Sequence, residues 1–189
     1  MAVRFPEFDE LSCLVKVIVL NTLYGTNVWA VQAMAKHVSL TLNRLDLKSA
    51  EPELVERLAE LPQGNLRKVR RHRSFASKFA HFYIDARRFP ILDQYAESMV
   101  RFHIGPASGG AGPVASYVEY AARFRELAQA TKWTGSTNEL DAYLWLAGEY
   151  RAWLRNQDVS INAELKNFLN NPPPAARSSL QVLRSALCV

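Results

Sequence analysis

Two residues in the middle of the chain, Lys78 and Asp93, have side chains suited to nucleophilic and acid–base chemistry. Helical spacing places Lys78 about 40° from Phe82 on a helical wheel, at the border of an apolar stripe. A desolvated amine beside other positive charges has a lowered pKa, and its neutral form is a nucleophile. The alternative is an ordinary surface lysine, whose stem packs on the stripe while its charge stays in water.

Asp93 stands where a second helix is expected to begin, after a turn at residues 86–90. Proline disfavours helical geometry in the residue before it, so the first helix should end in this turn. An aspartate at the start of a helix is an ordinary N-cap, worth about 1 kcal/mol. Its carboxylate would also suit a second role, in which it stabilises a cationic sugar or orients a water molecule. The sequence leaves both interpretations open.

A run of positive charge leads directly into the Lys78 helix. The chain has a formal net charge of +5 and a pI of about 9.4, a balance that favours a polyanionic partner. Five of its 23 lysines and arginines fall within residues 67–73. These candidate contacts to a nucleic acid are Arg67, Lys68, Arg70, Arg71 and Arg73. The alternatives are a solvated charged face and a localisation signal.

Apolar residues recur at helical spacing through most of the chain, and no segment shows the alternation of polar and apolar residues that is typical of a strand. Caps, prolines and glycines divide this pattern into roughly seven to nine helices. The expected helices cover residues 8–23, a segment through Trp29 and His37, a short helix capped by Ser49 that ends at Pro62, the helix around Lys78, and residues 93–103, 114–131, 139–154 and 160–169. The sequence therefore predicts an all-α fold.

We expect a single helical unit over residues 1–174, followed by a C-terminal tail at residues 175–189 with a weak helical rhythm. Within this unit, residues 65–104 form a hairpin-like lobe, and the N-terminal and C-terminal helices form the rest. The glycine-rich segment 105–113 lacks the lysine and the hydroxyl residue of a phosphate-binding loop, so we interpret it as a linker. The sequence does not indicate an oligomeric state.

Composition and spacing disfavour several kinds of site and location. Cys13 and Cys188 lie at opposite ends of the chain and do not make a four-cysteine zinc or iron–sulfur site. His81 and His103 lack metal-binding spacing, and we expect no metal and no cofactor. Neither an apolar stretch of about 18 residues nor a secretion signal is present, so we predict a cytoplasmic protein without a membrane partner.

The segment around Lys78 and Asp93 resembles the helix-hairpin-helix DNA glycosylases, the superfamily that includes the endonuclease III and 8-oxoguanine glycosylase types. Its bifunctional members carry a lysine early in one helix and, one helix and one turn later, an aspartate in a Val/Leu-Asp context. The residues Ile91-Leu92-Asp93-Gln94-Tyr95 are most similar to the archaeal-type 8-oxoguanine glycosylases. The glycine turn of the family hairpin is absent, because its place is taken by residues 71–76. The resemblance lies in Lys78-Phe79-Ala80-His81-Phe82 and Pro90-Ile91-Leu92-Asp93-Gln94-Tyr95.

The resemblance implies a two-lobed helical architecture with a central cleft between the lobes, and duplex DNA as the partner. It implies that Lys78 attacks the sugar C1′ to form a Schiff base and that Asp93 assists departure of the base. The segment 19–27 resembles the helix and turn that such enzymes place against the gap in the DNA. Tyr24 and Asn27 are the residues that we expect to probe the opened duplex.

Three functions are compatible with these patterns. The leading hypothesis is a DNA glycosylase, with or without lyase activity, that acts on a flipped damaged base through Lys78 and Asp93. The second is a nucleic-acid-binding protein on the same scaffold that has no catalytic activity. The third is a helical protein-interaction module whose basic run meets an acidic partner. Four aromatic residues either stack on a flipped base or, as their helical spacing favours, belong to the core: Trp29, Trp133, Tyr143 and Trp145.

Overall fold

The computed structural model describes residues 6–62, 70–106 and 112–187, and this part of the chain is mostly helical. A 3-10 helix lies at Leu47–Ser49. The all-α prediction is therefore confirmed for the described residues. Their α-helices are α1 (Glu10–Tyr24), α2 (Val31–Leu42), α3 (Glu53–Ala59), α4 (Arg73–Tyr83), α5 (Gln94–Ile104), α6 (Tyr117–Ala130), α7 (Thr137–Arg155), α8 (Ala163–Asn170) and α9 (Pro174–Leu187).

Two short strands are the exception to the helical pattern. β1 (Glu60–Leu61) pairs antiparallel with β2 (Arg70–Arg71). The prediction that the chain has no strand is wrong at these residues. Helix α3 ends at Ala59 rather than at Pro62, because the Ala59 carbonyl accepts a hydrogen bond from the His72 amide at 2.9 Å and the chain then continues as β1.

Side-chain caps fix the starts of several of these elements. Helix α7 begins with a capping box in which Ser136 and Glu139 satisfy each other's backbone amides. Ser49, predicted to cap a helix, instead ends the 3-10 helix, since Asp46 caps that short element through the Lys48 amide. Helix α3 then starts after Pro52.

Helix α4 lies in the aromatic part of the core. Phe75 and Phe79 on this helix are fully buried, together with Phe89 and with Tyr117 and Tyr120 on α6. Burying one such side chain stabilises the fold by roughly 2 kcal/mol. This packing determines which face of α4 turns away from the core, and Lys78 lies at the border of that face.

Helices α5 and α7 cross at very short distance. A Cβ atom added to Gly148 would lie 2.7 Å from the Tyr95 carbonyl oxygen, so only glycine allows this approach. The contact holds the start of α5 against the middle of α7. It therefore fixes Asp93, the residue before α5, relative to the side chains of α7.

The C-terminal segment forms a helix that packs on α7. Leu187 is 3% exposed, and the Tyr150 hydroxyl on α7 donates to the Leu180 carbonyl at 3.3 Å. None of the helices in the described ranges combines the length and the hydrophobicity that crossing a bilayer requires.

Candidate active site

A cleft of about 830 Å³ lies where α1, α4, α5 and α7 meet. Both predicted catalytic residues line it, with Lys78 on α4 and Asp93 at the start of α5. Tyr24, the predicted probe of the duplex, lines it from the end of α1. Three segments that are far apart in the chain thus bring the predicted residues to one cavity.

Lys78 is a buried amine at the wall of this cleft. Its residue is 7% exposed, and Nζ donates a hydrogen bond to Ser74 Oγ at 2.8 Å. Burial lowers the pKa of the amine below its ordinary value, whereas the charges of Asp93 and Asp141 oppose this shift. The amine is therefore not an ordinary surface group. Of the two predicted causes of the lowered pKa, burial is the one that acts here. The predicted positive neighbours are wrong, because the described charges that act on the amine are carboxylates.

Asp93 both caps α5 and faces the cleft. Its Oδ1 accepts hydrogen bonds from the Tyr95 amide at 2.9 Å and from the Ala96 amide at 2.8 Å. It lines the same cavity as Lys78, and among the described residues these two form no ion pair. The same carboxylate thus caps α5 and faces the cleft. The backbone bonds to Oδ1 hold the carboxylate in a fixed orientation.

A second acidic residue at the cleft, Asp141 on α7, is not among the residues predicted from the sequence. It is 6% exposed, and both carboxylate oxygens accept from the Ile91 amide, at 3.1 and 3.2 Å. Its Oδ2 also lies 3.5 Å from Nδ1 of His81, whose hydrogen bond goes to the Phe89 carbonyl at 2.9 Å. Burial raises the pKa of Asp141 to about 8. Asp141 therefore keeps its proton to a higher pH than an exposed aspartate does.

The raised pKa of Asp141 makes a prediction for stability. The folded chain holds this proton up to a pH of about 8, whereas the unfolded chain releases it near the ordinary value of 3.8. The stabilisation that Asp141 contributes is thus fully present below the pKa of the unfolded chain. It is lost as the pH rises through the pKa of the folded chain. We expect Asp141→Asn to gain free energy of unfolding relative to wild type between these limits, by up to about 1.4 kcal/mol per pH unit.

Urea unfolding of both proteins at several pH values measures this difference. Parallel stability curves for the two proteins would show that Asp141 is ionised in the folded state.

The signal for Asp141 was present in the helical spacing of α7. Asp141, Trp145 and Glu149 recur at every fourth residue and all line the cleft. Glu149 is 4% exposed and accepts from the Asn162 amide at 3.2 Å, and burial raises its pKa. Of this stripe, only Trp145 is a candidate from the sequence, either as a stacking residue or as a core residue. The prediction that Trp145 belongs to the core is wrong, because its half-buried ring forms part of the cleft wall.

Tyr24 and Phe82 stack on each other at the edge of the cleft. Their ring centroids are 5.1 Å apart with an interplanar angle of 29°, and the residues are 43% and 39% exposed. Trp29, interpreted as a core residue, is 84% exposed because it lies in the connection before α2. Asn27 lies in the same connection, in left-handed conformation with φ of 54°, and it does not line the cleft. The structure therefore brings Tyr24 to the site and leaves Asn27 outside it.

The described part of the basic run makes ion pairs with acidic residues of the neighbouring elements. Arg73 Nε contacts Glu56 at 2.9 Å, and both side chains are largely buried. Arg71 contacts Glu60 at 2.9 Å, but its side chain is 54% exposed. Arg73 thus has a structural partner, whereas Arg71 remains accessible to a ligand. Arg67 and Lys68 lie outside the described residues, as does the side chain of Arg70.

Comparison with known proteins gives two matches. Residues 4–87 match the family described as HI_0787_N, N-terminal domain. The chain is also similar to an uncharacterized protein of Haemophilus influenzae, with 33% identity over 131 residues. That alignment covers 68% of this chain and 62% of the relative, so the chain spans less than two thirds of the relative's length. No solved structure matches the chain.

Proposed function

We propose that the protein is a DNA glycosylase that excises a damaged base and forms a covalent intermediate through Lys78. The observation that carries the proposal is the buried Lys78 amine, which lines one cleft with the Asp93 carboxylate. A lowered pKa increases the fraction of the neutral amine, which is the form that such an attack requires. In this proposal the cleft lies between two helical lobes, as in the helix-hairpin-helix glycosylases.

The chemistry assigns a separate task to each side chain. Lys78 Nζ attacks C1′ of a flipped nucleotide, and the N-glycosidic bond breaks with its electron pair leaving on the base. The base nitrogen takes up the proton that the attacking amine loses. Asp93 offsets the positive charge that develops on the sugar, where a fixed carboxylate acts most strongly. Ring opening then gives the Schiff base, from which water releases the lysine or elimination cleaves the strand.

The cleft walls suit a flipped base. Phe82 and Trp145 offer aromatic faces at the cavity, and stacking on such faces is how flipped bases are held. Asp141 and Glu149 offer carboxyl oxygens that accept hydrogen bonds from N–H groups. A purine with N–H groups on its Watson–Crick edge matches this set. The resemblance to the 8-oxoguanine glycosylases adds the proposal that this purine is oxidised.

Borohydride trapping tests the proposal. Wild-type protein is incubated with duplexes that each carry one lesion from a panel of oxidised, deaminated and alkylated bases, and with an undamaged control duplex. We expect a reduced protein–DNA adduct with at least one oxidised purine and none with the control. No adduct and no base release across the whole panel would refute the glycosylase proposal.

Arg71 provides a separate test of DNA binding. Its exposed pair with Glu60 contributes about 0–1 kcal/mol, so a DNA phosphate can replace the carboxylate as its partner. We expect Arg71→Ala to weaken binding and to reduce the slope of log K against log salt concentration by about one. Arg184→Ala is the matched control, since Arg184 lines a different groove between α7, α8 and α9. Equal slopes for wild type and Arg71→Ala would show that Arg71 does not contact the DNA.

A further inference from the structure

The segment 89–92, which connects the turn after α4 to Asp93, has no regular secondary structure. Buried side chains nevertheless satisfy its backbone groups, and these side chains come from α4, α6 and α7. In sequence order along the segment, the bonds join Phe89 O to His81 Nδ1 (2.9 Å), Pro90 O to Tyr117 Oη (2.8 Å), Ile91 N to Asp141 Oδ1 (3.1 Å), Ile91 O to Tyr120 Oη (2.8 Å) and Leu92 N to Ser77 Oγ (3.0 Å).

These bonds determine where Asp93 lies. The segment runs directly into Asp93, so each bond restricts the backbone from which the carboxylate extends. An irregular segment held by side chains from three helices has a single position relative to α4, and α4 carries Lys78. The backbone bonds to Asp93 Oδ1 fix its orientation but do not fix its distance from Lys78. The bonds to segment 89–92 supply that second restriction.

The five side chains differ in what else they bond to: Ser77 lies on α4 itself, and its hydroxyl group also donates to the Ser74 carbonyl. His81 and Asp141 also line the cleft, so a substitution there would change the cavity itself. Tyr117 and Tyr120 are fully buried on α6 and do not line the cleft, and their hydroxyl groups donate to Pro90 and Ile91. The hydrogen bonds of the two hydroxyl groups therefore connect them to the reaction through the segment.

We infer that Tyr117 and Tyr120 are positioning residues for base excision, which hold segment 89–92 so that Asp93 stays at the correct distance from Lys78. The inference rests on the proposed glycosylase activity. Removing a hydroxyl group leaves the ring and its packing in place but frees one carbonyl of the segment. The carboxylate then samples positions that are wrong for the reaction, and a misplacement of about 1 Å lowers a rate by about a hundredfold.

The test compares three single substitutions of buried tyrosines. Tyr117→Phe and Tyr120→Phe each remove a hydroxyl group bonded to the segment. Tyr150→Phe is the matched control, because its buried hydroxyl group donates to the Leu180 carbonyl, away from the segment. The measurements are the single-turnover rate of base excision, the Kd for the lesion duplex, and amide hydrogen exchange at Ile91 and Leu92.

We expect the excision rate to fall about tenfold to a hundredfold in Tyr117→Phe and Tyr120→Phe, with the Kd unchanged and faster exchange at Ile91 and Leu92. Tyr150→Phe should match wild type in all three measurements. Wild-type rates in both Tyr117→Phe and Tyr120→Phe would overturn the inference while the glycosylase proposal stands. An equal loss of rate in Tyr150→Phe would also overturn it, since the effect would then be general. A wild-type protein that excises no base overturns both proposals.

Discussion

Lys78→Gln is expected to abolish the borohydride-trapped adduct and to lower the rate of base excision by at least about a thousandfold, because removal of an attacking nucleophile has effects of this order. The amide has nearly the volume of the amine and retains a donor for Ser74 Oγ, which accepts from Nζ at 2.8 Å. The substitution therefore removes the nucleophile with little change in packing. Gel analysis of trapped complexes and single-turnover kinetics measure the two effects.

Stability and a second buried lysine provide the controls for this prediction. Burial of the Lys78 amine opposes folding when it is charged, so the free energy of unfolding of Lys78→Gln should equal or exceed that of wild type. Lys16 is also buried, at 2% exposure, and burial lowers its pKa too. Its Nζ donates to the Glu7 carbonyl and lies 3.9 Å from the Phe8 ring centroid, outside the cleft. Lys16→Gln should trap normally, and an adduct that survives in Lys78→Gln would refute the assignment.

Asp93→Asn is expected to lower the excision rate by about a hundredfold to a thousandfold while stability stays near that of wild type. The negative charge at the cleft is lost, and removal of one fixed electrostatic partner of a transition state has effects of this order. Asparagine caps helices about as well as aspartate, so its side-chain oxygen can still accept from the Tyr95 and Ala96 amides. The measurement pairs single-turnover kinetics with thermal unfolding.

Two further variants separate the effect of the helix cap on stability from the effect of the negative charge on the excision rate. Asp93→Ala should lose the cap as well as the charge, and should be less stable than Asp93→Asn by about 1 kcal/mol. Asp9 is the matched control, since it caps α1 through the Ser12 amide at 3.0 Å and does not line the cleft. Asp9→Asn should excise bases at the wild-type rate. If Asp93→Asn were fully active, Asp93 would be an ordinary helix cap.

The order of helices around the site could be predicted from local sequence. Proline at position 90 and a capping aspartate at position 93 separate α4 from α5, and both signals act within a few residues. The border position of Lys78 likewise follows from helical spacing. Whether that amine is buried depends on the other segments that line the cleft, which include the start of α5 and helix α7. Helical spacing carries no information about them.

The residues that the sequence did not reveal act over long distances in the chain. Asp141 bonds to the Ile91 amide, and Tyr117 bonds to the Pro90 carbonyl. A bond from a side chain to a distant backbone group leaves no periodic signal, so such partners emerge only from tertiary packing. The partners of the basic run are likewise set by tertiary packing. Arg73 belongs to a charged run by composition, yet it pairs with Glu56 of α3 in the fold.

The central claim is that the Lys78 amine is the nucleophile in a cleft shared with Asp93. Mass spectrometry of the borohydride-reduced adduct tests it most directly, because proteolysis identifies the lysine that carries the sugar. We expect a single modified peptide, with the sugar remnant on Lys78. A remnant on Lys16, on the N-terminal amine or on any other lysine would contradict it.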